Sequence, residues 1–507
     1  MSHSLPPGDR VELLIAQACA RHHDHAALCG EGGDLAYSEL LARAEVVAGE
    51  LKKVGLELDH PVLVMTTNST TDIAAYVGVW MAGGVVVPVH IGASEDTLTT
   101  IVMRTAARCL VIGIDDGSWR RFRLLHDAHS HGHGVVTIRQ RAERQHEILQ
   151  GAALVIFTSG TTGQPKGVVL GHTRYVAKLR SLQHVLGFTD GGNALLVLQL
   201  TFSFGIWFSL LTLMTGGSVH LRRRFDAART AQDLTSGIDR IAVVPTMLRM
   251  MLPELEGGPS ERLGSPSQRP AGLIVTGGEV LPAHLGRHYR QLLPEWSITD
   301  VYGLTETASG DFILPATSYD AHPGTIGWPS HDAIRYTVRN EAGSPVPLGD
   351  VGELWISTPF LMHGYLGDPG SRISATDDYF RTGDLAVEHP GGAVEIVGRV
   401  KNLVNRGGNK VSPVEIENCV LEHPGVAAAL ATGVPDDRMG ERLYLAVVPR
   451  AGAHLTTGEV ELWARERLEK YKIPDYTIIV TAIPLGPTGK ADRSVLQRQI
   501  LDGHSRG

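Results

Sequence analysis

Residues Ala153–Gly167 read ALVIFTSGTTGQPKG. The opening ALVIF is a continuous apolar run of the kind a buried strand carries. From Phe157 to Gly167 the chain then packs three glycines, three threonines, a serine and one lysine into eleven residues. A strand that runs out into glycines, hydroxyls and a cation offers backbone N–H groups and an ammonium to a polyanion such as a nucleoside triphosphate. The stretch departs from the Walker pattern G-x-x-x-x-G-K-[ST], because Lys166 follows Pro165 and precedes Gly167. On these residues alone, a phosphate cradle and a polar surface turn both stay open.

Similar strands recur on either side. PVLVM from Pro61, CLVIG from Cys109, IAVVP from Ile241 and GLIVTGG from Gly272 alternate with helical patterns. Near-continuous apolar strands alternating with helices predict an α/β protein with buried, largely parallel sheets. IAAYVGVWMAGGVVVPVHIG, from Ile73, imitates a membrane span in length and lack of charge. Gly83-Gly84 interrupts it and Pro88 follows a β-branched run, so a buried helix, a tight turn and a buried strand are expected. After about Ser330 short strands and turns predict a β-rich subdomain. The last hundred or so residues, from SPVEIENCVLEH through RLYLAVVP to TTGEVELWARERLEKY, predict a small α+β domain. The expected architecture is therefore a large N-terminal α/β domain of packed sheets with a β-rich subdomain, followed by a small α+β C-terminal domain. The Gly/Ser/Pro-rich stretch EGGPSERLGSPSQRPAG, from Glu256, reads as a loop.

The 507 residues exceed one core and suggest two or three domains. Apolar residues make up 43% of the chain, enough to bury a large interior. Lys plus Arg total 46 against 54 Asp plus Glu, a net charge of −8, which argues against general nucleic-acid binding. Four scattered cysteines with no C-x-x-C suggest reduced thiols. The opening residues MSHSLPPGDRVELL lack a signal-peptide pattern, and a cytoplasmic protein without a membrane span is expected. His126, His129, His131 and His133 crowd into HDAHSHGHG; no Cys or carboxylate set completes a metal site, so a solvated loop is expected.

Downstream stand TGGE (276–279), DVYGLTET (300–307), RTGDLA (381–386), VGRVKNLVNRGGNKVSPVEIE (397–417) and PLGPTGKADR (484–493). In this order and spacing, with the Ser/Thr/Gly loop ahead of them, they resemble the adenylate-forming superfamily: acyl- and aryl-CoA synthetases, peptide-synthetase adenylation domains and beetle luciferases. The resemblance runs from about residue 30 almost to the end of the chain. It implies ATP, Mg²⁺ and CoA as co-substrates and cofactor, a division at residues 1–399 and 400–507, and two half-reactions separated by rotation of the smaller domain.

The resemblance also implies roles. Thr158, Ser159, Gly160, Thr161, Thr162, Gly163 and Lys166 would wrap the β- and γ-phosphates. Gly278, Glu279 and Gly303 fall on the nucleotide side. Tyr302 would offer a ring face to adenine, and Asp300 would accept from its amino group. Thr305 would bond the α-phosphate or substrate carboxylate, and Glu306 would be the magnesium ligand. Asp384 has two acceptor oxygens for the ribose diol, supported by Arg399. Lys490 matches the catalytic lysine, which would orient the attacking carboxylate and offset charge building at phosphorus. Lys401 falls at the hinge, where family members often carry Asp.

The acid pocket is placed by motif register at Phe202, Ser203, Phe204, Trp207, Ile274, Thr276, Val301, Ser309 and Gly310. Amino-acid-activating relatives usually hold Asp where Ser203 stands. A hydroxyl cannot neutralise an ammonium in a closed pocket, so an acid lacking an α-amine is expected, with room for a bulky aryl, alicyclic or polycyclic group. GGNKVSP resembles the acyl-CoA synthetase form, with Gly407 and Gly408 leaving space for pantetheine. CoA is the first choice of thiol and a separate carrier protein the second. The competing readings are an adenylating enzyme that hands acyl-AMP to a separate carrier or ligase, a luciferase-like oxygenase, and a catalytically silent nucleotide-binding protein.

Overall fold

The computed structural model describes residues 9–113, 122, 128–138, 146–158, 165–189, 191–257, 271–367, 379–486 and 490–504. Two large sheets carry the first two thirds of the chain. One has nine strands, and its middle six (Ala26–Cys29, Ser218–Leu221, Asn193–Leu196, Arg240–Val243, Gly272–Gly277 and Trp296–Tyr302) are parallel neighbours in that order. The other has eight strands around the parallel set Cys109–Ile112, Pro61–Thr66, Val85–His90 and Ala152–Thr158. These strands are apolar almost without a break because both faces are covered. All five of the strands expected from their apolar runs are present.

The span-like segment divides as its glycines dictate. Thr70–Met81 is a helix in which every residue from Asp72 to Trp80 is buried, and Val85–His90 is an interior strand. A helix that is apolar on all sides is one covered on all sides. Pro88 has no N–H for a ladder, and the pairing of its strand with Ala152–Thr158 is registered only at Val86 and Leu154. Among the described residues no helix is long and apolar enough to cross a membrane.

The expected β-rich subdomain is a four-stranded antiparallel sheet, Arg335–Arg339, Gly352–Ser357, Phe380–Glu388 and Val394–Arg399. The C-terminal part is a five-stranded sheet built on the long hairpin Val426–Asp436 and Gly440–Pro449, with helices Pro413–Leu421, Thr457–Arg467 and Arg493–His504. The apolar core of the larger part ends at Ile396, and that of the smaller part begins at Val404.

One expectation about the fold fails. His129, His131 and His133 do not lie in an irregular loop: His129–Gly132 is an exposed edge strand paired with Val135–Thr137, and His133 turns the hairpin with φ 48°. A short polar edge strand has no apolar alternation to announce it. His126 and most of the Glu256 loop lie outside the described residues, and among those described no cluster of ligands suits a metal. All four cysteines are free.

Candidate active site

A cavity of about 2490 Å³ lies where the two sheets, the β-subdomain and the C-terminal domain meet. The end where phosphates are expected is made by a hairpin. Thr158 and Lys166 face each other in register across the antiparallel strands Ala152–Thr158 and Lys166–Gly171. Ser159, Gly160, Thr161, Thr162 and Gly163 lie outside the described residues. The strand leaving the hairpin pairs next with the two-residue strand Gly364–Tyr365. Tyr365 belongs to none of the motifs, yet it ties two expected residues together. Its hydroxyl donates to Glu306 Oε1 at 2.8 Å, and Lys166 Nζ sits 4.9 Å from its ring centroid. Burial, reinforced by the Glu306 carboxylate, holds the Tyr365 phenol above its usual range. The Glu306 carbonyl in turn accepts from Met362 N at 2.7 Å, which fixes the short turn Thr305–Thr307.

The pair expected at the ribose follows from strand register. Asp384 and Arg399 are direct cross-strand partners, and the guanidinium Nε donates to Asp384 Oδ1. Tyr302 donates its hydroxyl to Asp384 Oδ2 at 2.7 Å, so the aromatic residue and the carboxylate form one unit. Asp300, two residues back on the strand Trp296–Tyr302, lines the cavity yet is almost wholly buried, and burial pushes its carboxyl up to about 8. Gly303 carries the chain tightly past Gly310: any Cβ there would run into the Gly310 backbone nitrogen.

Lys490 enters from the C-terminal domain. A Cβ on Gly278 would lie 2.7 Å from Lys490 Nζ, and Gly278 has φ +81°, so glycine serves both the turn and the lysine. Burial pushes the Lys490 amine below its ordinary value; Glu279 and Asp384 oppose this and Arg399 adds to it. Glu279 also lines the cavity, but its carboxylate is already engaged. Oε2 accepts from Thr246 N at 2.9 Å, and Oε1 accepts from Ala491 N at 3.1 Å. Lys401 lies in the single turn Val400–Asn402 and lines the cavity, its amine pushed down by burial and by Arg399.

Of the residues expected at the acid, Phe202, Ser203, Phe204, Trp207, Val301, Ser309 and Gly310 all line the cavity. Ile274 and Thr276 do not; both are buried in the strand behind it. Phe204 and Trp207 stack with ring centroids 4.9 Å apart, and Ser203 and Ser309 share a hydrogen bond of 2.9 Å. Ser309 is held in a left-handed turn, with φ 60° at Ala308 and 65° at Ser309. Behind the turn is a second feature that sequence reading missed. Lys178, wholly buried, donates to Gly310 O at 2.7 Å and pairs with buried Asp311 at 3.4 Å. Thr307 donates to the same carboxylate, and Ser330 donates to Gly310 O at 2.6 Å. Gly407 and Gly408 turn the hairpin Val404–Arg406/Asn409–Val411 and do not line the cavity in this arrangement.

Residues 15–366 match the AMP-binding enzyme family, and residues 415–490 match the AMP-binding enzyme C-terminal domain. A sulfoacetate–CoA ligase of Cupriavidus necator is 30% identical over 510 residues, covering 96% of this chain and 97% of the relative. A fatty acid–[acyl-carrier-protein] ligase of Streptomyces coeruleorubidus is 28% identical, covering 96% of each. The structure of ATP-bound MatB from Rhodopseudomonas palustris superposes with a TM-score of 0.80 at 26% identity, over 97% of this chain and 99% of that one. The chain belongs to the AMP-binding enzyme family, with both its main and its C-terminal domain, and is an AMP-forming acid–thiol ligase.

Proposed function

We propose that the protein activates a carboxylic acid with ATP and passes the acyl group to the thiol of CoA. A carboxylate oxygen attacks the α-phosphorus and pyrophosphate leaves, giving acyl-AMP. The thiol sulfur then attacks the acyl carbon, the C–O bond to AMP breaks, and the thiol proton goes to solvent. The observation that carries this reading is Lys490, which reaches from the C-terminal domain into the cavity that also holds Lys166, Glu306, Asp384 and Arg399. Lys490 suits the first step: an ammonium between the carboxylate and the α-phosphate aligns the nucleophile and offsets the charge that develops. No general base is needed, since the acid is already ionised at neutral pH. Glu306 keeps Oε2 for a cation, and one carboxylate together with nucleotide phosphates fits magnesium, which would neutralise phosphate charge there. The gap between the two cores, Ile396 to Val404, supports division at residues 1–399 and 400–507, with Lys401 as hinge.

The acid is one without an α-amine. Ser203 and Ser309 bring only hydroxyls to this part of the wall, and the nearby Asp311 carboxylate is sealed behind it on Lys178. The stacked Phe204 and Trp207 favour an aryl or alicyclic body. A carrier-protein arm is the second choice of thiol, supported by the likeness to a ligase that the name of one relative assigns to acyl carrier protein.

A panel of carboxylic acids scored by ATP–pyrophosphate exchange, with CoA or a pantetheine-bearing carrier added afterwards, tests the reading. Exchange is expected with aryl or alicyclic acids and to exceed that with the matching α-amino acids. Lys490→Ala is expected to lose about 100-fold or more in exchange, the scale for one transition-state charge partner. It should still transfer preformed acyl-AMP to thiol. Stronger exchange with an α-amino acid than with its deaminated analogue overturns the pocket assignment.

A further inference from the structure

We infer that Glu279 is a latch that holds the C-terminal domain in the lysine-in arrangement, and so is a positioning residue for the first half-reaction only. This rests on the two-step reading above. The larger and smaller parts of the chain share the Glu279 carboxylate. On the larger body, Glu279 is fixed by Thr246, whose backbone N–H donates at 2.9 Å and whose hydroxyl reaches the two oxygens at 3.0 and 2.8 Å. Thr246 lies in the first turn of the helix Pro245–Gly257, where the helix dipole favours an anion. Arg249 adds a cation 3.7 Å from Oε2. The carboxylate is therefore held in place before anything docks on it.

On the smaller body, Lys490–Asp492 is equally braced. Gly486 N donates to Lys490 O at 2.8 Å and Asp492 N donates to Pro484 O at 2.9 Å, and Ala491 bridges Leu485. Arg493, the next residue, is pinned to Glu417 by two contacts of 2.8 and 2.6 Å. The Ala491 N–H points away from this hairpin and donates to Glu279 Oε1 at 3.1 Å. Ala491 directly follows Lys490, so the bond forms only while Lys490 Nζ lies against Gly278. Withdrawal of the lysine must break it. Losing the latch disfavours the arrangement that adenylates and leaves the arrangement that thioesterifies untouched.

Two variants approach the bond from opposite sides. Glu279→Gln removes the charge at constant size, and Ala491→Pro removes the donor N–H while leaving Glu279 intact. In each, kcat for ATP–pyrophosphate exchange should fall about tenfold or more, the scale of a hydrogen bond to a charged group. KM for ATP and transfer of preformed acyl-AMP to CoA should stay within about twofold, and the double variant should be no slower than the slower single one. Amide hydrogen exchange on the wild-type protein and Glu279→Gln gives a readout that needs no activity: protection at Ala491 should be lost in the variant. Unchanged protection at Ala491 overturns the latch, as does equal loss in both half-reactions. A raised KM for ATP in Glu279→Gln alone also overturns it and makes Glu279 a nucleotide contact. If protection is lost but the wild-type protein exchanges pyrophosphate with no acid, the latch stands and the two-step reading fails.

Discussion

At the scale of single residues, Asp300 carries an electrostatic cost that can be measured. Burial raises its carboxyl from an ordinary value of 3.8 to about 8. Between about pH 4 and about pH 8 the folded protein keeps a proton that the unfolded chain has released, so stability falls as pH rises through this window. Below it both states are protonated, and above it the full cost of a buried anion is present. Asparagine has no proton to lose. Asp300→Asn should therefore melt higher than the parent, by a margin that grows from about pH 5 to about pH 8 and then levels off. Thermal melts of both proteins across that range check this, and a margin independent of pH would show that the carboxyl is already ionised at low pH. The amide still offers a carbonyl to the adenine amino group, so ATP binding should weaken only modestly.

At the scale of elements, the turn Ala308–Gly310 shows what a buried ion pair can be for. Non-glycine residues in the left-handed region cost on the order of 1–3 kcal/mol each, and they persist where the surroundings over-determine them. Here Lys178, on the helix His172–Val185, holds Gly310 O and Asp311 from behind, and this presents Ser309 to Ser203. Lys178→Met leaves Asp311 buried and unpaired, and should cost about 3 kcal/mol or more in urea unfolding. It should also raise KM for the acid more than KM for ATP, because Asp384, Arg399 and Lys166 stand on other elements. Equal rises in both would mean that the pair supports the fold at large. This element also marks the limit of what the sequence reveals. The buried strands are legible because both faces are apolar, and Asp384, Arg399 and Lys490 are legible because motifs carry them. Lys178 is not, since a lysine on a helix reads as solvated and only its tertiary setting buries it. Tyr365 sits in a two-residue strand too short for any period. Ile274 and Thr276 were placed by motif register, and the structure sets both behind the cavity rather than in its wall.

At the scale of the whole molecule, the two bodies are joined by a strand end and one short turn. Between Ile396 in the first core and Val404 in the second stand Gly398, Arg399 and the turn Val400–Asn402. Across the joint, described polar contacts are few: Ser412 Oγ to Val397 O at 2.5 Å, Lys410 with Glu341, and Ala491 with Glu279. A seam this sparse suits rotation, since few contacts must break for the smaller part to turn. Lys401 sits in the middle of the single 3₁₀ turn Val400–Asn402, and residues in such turns generally have φ near the value that proline imposes. Lys401→Pro should therefore be tolerated in the lysine-in arrangement and should resist the backbone change that rotation demands. Pyrophosphate exchange should survive while acyl-CoA production falls about tenfold or more, with a melting temperature close to the parent's to exclude misfolding. This is the mirror image of the Glu279→Gln phenotype, in which the first step fails and the second survives. The two variants together ask whether one rigid-body motion divides the chemistry. If Lys401→Pro loses exchange and keeps thiol transfer, the motion does not pivot at this turn, and the separation of cores at Ile396 and Val404 must serve some other movement.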